Sequence, residues 1–322
     1  MPRLGRVLGF VVVVAILTVG PVAPALAGAP APTLGQWQKE IGSIPTGGPG
    51  CYKADYPSLE WTSVPCTNVE PLPENVGGNF GDNEIRIQNP GTVSFYGFSG
   101  QFEAETGYTG ESDSSWGNGI YSLQGNTNQF ATTFNGNAAN GWVQFVLRTD
   151  PPCWFFCSTP TAVMYMEFWL IRYPTTCPGG WTQWQTGSCY INSNAYSVPY
   201  TGPGSFASSH VNLASGIYQG QLSERYCSGI SCWTTTANDL LGLAQNNRWR
   251  DVEFNVFGRA SSSQAVFNPH MSLQILVLTS VTGGTPSLAC PNNSFTAETN
   301  NLNVGTCTVY TGNYAIRFTE SN

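Results

Sequence analysis

Thr161–Tyr173 reads TAVMYMEFWLIRY, a run of Val, Met, Tyr, Phe, Trp, Leu and Ile with the composition of a long β-strand. Strand side chains alternate between faces. Ala162, Met164, Met166, Phe168 and Leu170 fall on one face; Val163, Tyr165, Glu167, Trp169 and Ile171 fall on the other. A carboxylate therefore stands mid-strand between two aromatic rings with polar edges. A charge there is costly unless it is paired, hydrogen-bonded or exposed in a groove.

Two more stretches share this pattern. In Trp142–Arg148 (WVQFVLR), Val143, Phe145 and Leu147 face one way, and Trp142 and Gln144 the other. In Arg250–Phe257 (RDVEFNVF), Val252, Phe254 and Val256 oppose Asp251, Glu253, Asn255 and Phe257. If these strands are neighbours, Gln144, Glu167 and Glu253 project into one concave, water-accessible groove. Trp142, Tyr165, Trp169 and Asn255 would line it, and Gln274 in MSLQILVLT would be a fourth polar member.

Around them, short strands alternate with turn-rich segments: Glu84–Gln88, Thr92–Phe98, Gln101–Glu105, Gly119–Gln124, Gln129–Phe134, Ile217–Ser223, Met271–Thr279, Thr308–Tyr310 and Tyr314–Thr319. GNTN at 125–128 reads as a hairpin turn. One short helix is expected at Thr236–Gln245, capped by Thr236 with Asp239 in its first turn. Many short strands without a βαβ rhythm predict an all-β protein, an antiparallel β-sandwich of the concanavalin A-like or jelly-roll type. No fixed-period repeat points to a propeller or solenoid.

The first 27 residues carry Arg3 and Arg6, an apolar core over Leu8–Val19 and the small-x-small site Ala25–Ala27, the pattern of a secretory signal. Residues 28–80 read as a Pro/Gly-rich extension or pro-segment holding one stapled loop, and residues 81–322 as the sandwich. No later apolar run is long enough for a membrane span, so a secreted, monomeric protein without an anchor after cleavage is expected.

The ten cysteines fall as sequence neighbours: Cys51 and Cys66, Cys153 and Cys157, Cys177 and Cys189, Cys227 and Cys232, Cys290 and Cys307. Neighbour pairing is the simplest connectivity and would close five small loops, as suits an oxidising compartment. With Arg3 and Arg6 removed, ten basic and nineteen acidic residues leave a net charge of −9. That balance speaks against nucleic acid or anionic lipid as partners. So few basic groups repel one another in acid that tolerance of low pH is expected.

Nucleophile motifs are missing. Gly97–Gly100 is followed by Gln101, which breaks a G-x-S-x-G elbow. There is no H-E-x-x-H and no P-loop, and His210 and His270 lack the context of a triad or zinc site. The chemistry left is that of carboxylate and amide, which needs no cofactor or metal. A Glu can take a proton from water while a carboxamide donates to the developing oxyanion.

A strand with Gln, an aromatic strand with a central Glu ending in Tyr-Pro, and a later V-E-F strand resemble the eqolisins, acid-acting glutamic peptidases with a lectin-like sandwich. The segments here are WVQFV, YMEFWLIRYP and VEFNVFG. The resemblance implies Glu253 as general base, Gln144 as oxyanion stabiliser and Glu167 as supporting carboxylate, acting on an extracellular polypeptide. Phe254 stands where that pattern has Trp, no second Glu follows Glu253, and PPCWFFCSTPT separates the first two strands.

Other readings of the same residues stay open. The aromatics could stack sugar rings in a glycan-binding protein, or Glu167 and Glu253 could be the acid and base of a glycosidase. Each polar residue could also lie on an ordinary solvent face. Glu103, Glu105, Glu111 and Asp113 form an acidic cluster that reads as a solvated rim or a Ca²⁺ site.

Overall fold

The computed structural model describes residues 32–67, 84–87, 94–107, 109, 111–113, 120–149, 161–199, 209–213, 221–242, 251–257, 265–267, 270, 272–282, 284–285, 287–290 and 301–322. Residues 1–31, which include the stretch read as a secretory signal, the expected Cys153–Cys157 loop and residues 68–83 lie outside them. Pro32–Asn322 form one compact unit.

The strands are, in chain order, β1 (Gly50–Asp55), β2 (Thr62–Val64), β3 (Glu84–Ile87), β4 (Ser94–Thr106) and β5 (Glu111–Asp113). Next come β6 (Ile120–Phe134), β7 (Asn137–Thr149), β8 (Thr161–Ile171), β9 (Thr182–Gln185), β10 (Ser188–Asn192) and β11 (Tyr196–Pro199). They are followed by β12 (Ser209–Leu213), β13 (Gln221–Ser228), β14 (Ser231–Asn238), β15 (Asp251–Phe257) and β16 (Ala265–Phe267). The chain closes with β17 (Ser272–Thr282), β18 (Leu288–Ala289), β19 (Asn303–Tyr310) and β20 (Ala315–Ser321).

These strands build an antiparallel β-sandwich. The first sheet runs β19-β20-β17-β4-β12-β13-β14-β1-β2. The second runs β18-β3-β15-β6-β7-β8-β10-β9, with β11 pairing the other half of β8; β5 and β16 pair separately. The core between the sheets takes Val143, Phe145 and Leu147 of β7, Ala162 to Leu170 of β8 on alternate positions, and Val252 and Phe254 of β15. Phe98 and Phe102 of β4 meet them from the first sheet: Phe98 lies 5.7 Å from Phe145, edge to face, and Phe102 lies 5.0 Å from Phe254. A Cβ on Gly100, between those two β4 rings, would overlap the Phe254 ring. The alternation expected for β7 and β8, and for β15 at Val252 and Phe254, is the one observed.

Four neighbour disulfides are present: Cys51–Cys66, Cys177–Cys189, Cys227–Cys232 and Cys290–Cys307. Cys227 and Cys232 are cross-strand partners at the β13–β14 turn.

Several expectations are corrected. Thr236–Asn238 is not helical: it ends β14, laddered to β13 throughout and to β1 at Thr236. Three successive threonines, 234–236, suit a strand, and the two-sided ladder outweighs the helical pattern that follows. The one α-helix among the described residues, α1, is Leu34–Ile41. Thr33 caps it, and Gln36 bonds back to the Thr33 backbone, a capping box legible as T-x-x-Q. GNTN is not a turn; β6 runs through it with a register shift between Asn126 and Ala131. The hairpin turns at Asn135-Gly136, where φ is 49° and 79°, the left-handed pair that a type I′ turn needs. Of the strand placed at Ile217–Ser223, the described residues 221–223 belong to β13, which runs to Ser228, and residues 217–220 lie outside the described residues.

The stretch read as an N-terminal extension supplies the β1–β2 edge of the first sheet. Trp37 and Ile41 of α1 are buried with Ala54 and the Cys227–Cys232 bridge. Trp37 donates its indole N–H to the Ser58 carbonyl at 2.6 Å.

Candidate functional site

Register brings the polar residues onto one transverse row of the second sheet. Gln144 of β7 is directly opposite Glu167 of β8, and Glu167 is opposite Asn192 of β10. On its other side Gln144 is level with Gln124 of β6, then Glu253 of β15 and Glu84 of β3. One residue pair further along lies an aromatic row: Trp142 opposite Trp169, and Trp169 opposite Tyr190. Cross-strand partners share a face, so the polar and aromatic rows both lie on the face turned away from the core.

The Trp169 indole N–H ties the centre of the polar row together. It lies 2.9 Å from Glu167 Oε1 and 3.2 Å from Gln144 Oε1. A single donor thus holds a carboxylate oxygen and a carboxamide oxygen side by side. Because an indole N–H only donates, it orients Gln144 with Oε1 inward, which turns the Nε2 donors to the other side. Trp169 is itself packed between Trp142, stacked at 5.6 Å, and Tyr190 at 5.1 Å.

Glu253 is on the expected sheet and face but is separated from Gln144 by β6. At about 4.8 Å per strand, the two backbones stand about 10 Å apart. Glu167 is the cross-strand neighbour of Gln144, whereas Glu253 stands two strands away on the same row.

The site is not the open groove expected from the sequence. Gln144 is 1% exposed, and Glu167 and Glu253 are 0% exposed. Nor are the aromatics a surface lining: Trp142, Trp169 and Tyr165 are all buried. Tyr165 packs with Val146, Val163 and Ala195, with the Arg148 guanidinium 5.8 Å from its ring centroid. Asn255 is level with Ser122 in the β15–β6 ladder. Gln274 is a correction of another kind. It lies on β17 of the first sheet, between Leu273 and Ile275, which face the core. Its side chain points out of the opposite side of the sandwich.

Asn192 and Tyr190 are not among the residues expected from the sequence. Their signal was present in SCYIN, where Tyr190 and Asn192 alternate with the core residue Cys189. The segment is short and straddles the end of the Gly- and Trp-rich Cys177–Cys189 loop, so it reads as loop until β8 pairs with it.

Glu103 of the acidic cluster is held by Arg317, Nη2 to Oε1 at 2.8 Å. Among the described residues no group of three His, Cys, Asp or Glu is placed to hold a metal ion. Compared with family models, curated proteins and solved structures, the chain matches none. The likeness to glutamic peptidases therefore rests on its three short segments.

Proposed function

We propose that this protein hydrolyses peptide bonds in acid, with Glu167 as the proton-transfer group and Gln144 as the oxyanion donor. The observation that carries this reading is the shared Trp169 N–H, which fixes both side chains at one point. In the proposed step Glu167 takes a proton from water as the oxygen adds to the scissile carbonyl carbon. Gln144 Nε2 donates to the oxygen that gains charge. The carboxyl then gives its proton to the amide nitrogen as the C–N bond breaks, which restores the carboxylate. Glu167 is placed in this role ahead of Glu253 because it shares the Trp169 N–H with the amide.

The pair is enclosed. Enclosure strengthens the hydrogen bonds that act on the developing charge. The four disulfides suit a secreted protein working in an oxidising compartment. A glycan platform fits less well: sugars stack on open ring faces, and here the rings stack on one another and are buried.

The test is incubation with an unfolded protein across pH. Cleavage is expected in acid, at about pH 2–4, and is expected to survive chelators. Glu167→Gln should lose at least about 100-fold in rate and Gln144→Ala about 100–1,000-fold. Both should keep the parent's circular dichroism. Undiminished cleavage by folded Glu167→Gln would overturn the assignment.

A further inference from the structure

Three buried polar atoms beside the pair make no hydrogen bond: Trp142 Nε1, Trp184 Nε1 and Asn192 Oδ1. Trp142 is 6% exposed. Native proteins rarely leave buried donors and acceptors without partners. Here they gather on one face of one sheet. Trp142 is two residues from Gln144 on β7, Asn192 is opposite Glu167 on β10, and Trp184 on the edge strand β9 packs into the Trp142–Trp169–Tyr190 cluster.

From this we infer that Trp142, Trp184 and Asn192 form the track that holds the substrate main chain, entering from the β9 edge and ending at the Gln144–Glu167 pair. The inference rests on the peptidase reading above. Two N–H donors require acceptors, and a carboxamide oxygen requires a donor. A polypeptide backbone offers both in every residue. A sugar hydroxyl also offers both, but sugars are held by ring faces, and stacking has turned those faces toward each other. What the stacked Trp142 has left is its N–H edge. The track thus reads backbone rather than side chain, and it predicts an unfolded substrate with little sequence preference.

The test separates binding from chemistry. In the folded Glu167→Gln protein, calorimetric titration at about pH 4 with a reduced, unfolded polypeptide should show binding. Adding Trp142→Phe, which keeps the ring and removes the N–H, should weaken that binding about tenfold. In the active protein Trp142→Phe and Trp184→Phe should raise KM by a similar factor with kcat within about twofold, as for a contact made equally in ground and transition states. Asn192→Ala should do the same, and it guards against a tryptophan variant that fails to fold. If the parent cleaves but KM is unchanged in all three variants, the track is wrong and the peptidase reading stands. If the parent cleaves nothing yet binds polypeptide through Trp142, the peptidase reading falls and the track survives as a binding site. Trp142-dependent binding of an oligosaccharide in place of polypeptide overturns the inference.

Discussion

The two sheets bury charged groups in opposite ways. In the second sheet Gln144 and Glu167 stand on the outer face in register, held to one indole N–H. In the first sheet Glu224 points inward, on the side of β13 that carries the core residues Leu222 and Tyr226. Its cross-strand partner is Thr235, and both Glu224 Oε2 and Thr235 Oγ1 are buried without a hydrogen bond. The next residue, Arg225, is also buried but points to the other side, beneath α1. A Cβ on Gly42, at the end of that helix, would overlap its guanidinium. Glu224 and Arg225 look like an ion pair in sequence, yet the pleat sends them to opposite faces. Burial alone then holds the Glu224 carboxyl well above the usual carboxylate range and pulls Arg225 down to about 10. Buried charge with aligned neighbours can do chemistry; buried charge without them makes stability depend on pH.

The sharpest way to break this contrast is to neutralise both acids. Glu167→Gln should abolish hydrolysis, a fall of at least about 100-fold, whereas Glu224→Gln should leave the rate in acid near that of the parent. Equal losses in the initial-rate assay would show that the two sites are not different in kind.

The next effect concerns the cover over Arg225. Trp37→Ala removes a ring that is fully buried, donates to Ser58 and packs edge-on to Tyr56. It should cost about 3–5 kcal/mol in urea unfolding. A loss below about 1 kcal/mol would mean that α1 adds little to the first sheet. Removing the Cys227–Cys232 bridge with paired serines should cost about 2 kcal/mol, since its loop is short. An unchanged urea midpoint would show that the β13–β14 ladder holds the hairpin without it.

The smallest effect is the most diagnostic. The proton-bound form of Glu224 is the one that fits its site. The stability it contributes is full below about pH 4 and is lost as pH rises toward the raised folded-state value. Glu224→Gln should therefore change little at pH 3 and stabilise by about 1 kcal/mol or more at pH 8. The check is the difference in urea midpoint between the two pH values. An equal gain at both would place the cost in packing rather than charge. A protein stable in acid and weakened at neutral pH would match the charge-poor composition that already pointed to acid tolerance.

Strand alternation is a local property, and it was legible. The faces of β7, β8 and β15 follow from a period of two, and so does the placement of Gln144, Glu167 and Glu253 away from the core. The four observed cystines close loops between sequence neighbours, again a local matter. Thr33-x-x-Gln36 and Asn135-Gly136 were equally local signals, overlooked in favour of Thr236 and GNTN.

What no local pattern contains is which strand lies beside which. Ladder pairing joins residues far apart in the chain. It put β6 between Gln144 and Glu253, set Asn192 next to Glu167, sent Gln274 to the other sheet and held Thr236 in a strand. Burial is likewise a sum over distant neighbours, so the closure of the polar row emerged only once the sheets were assembled. The amino-acid order settled the kinds of group and the side of each strand they occupy; assembly settled their company, because hydrogen-bond partners and solvent exclusion are properties of the packed whole.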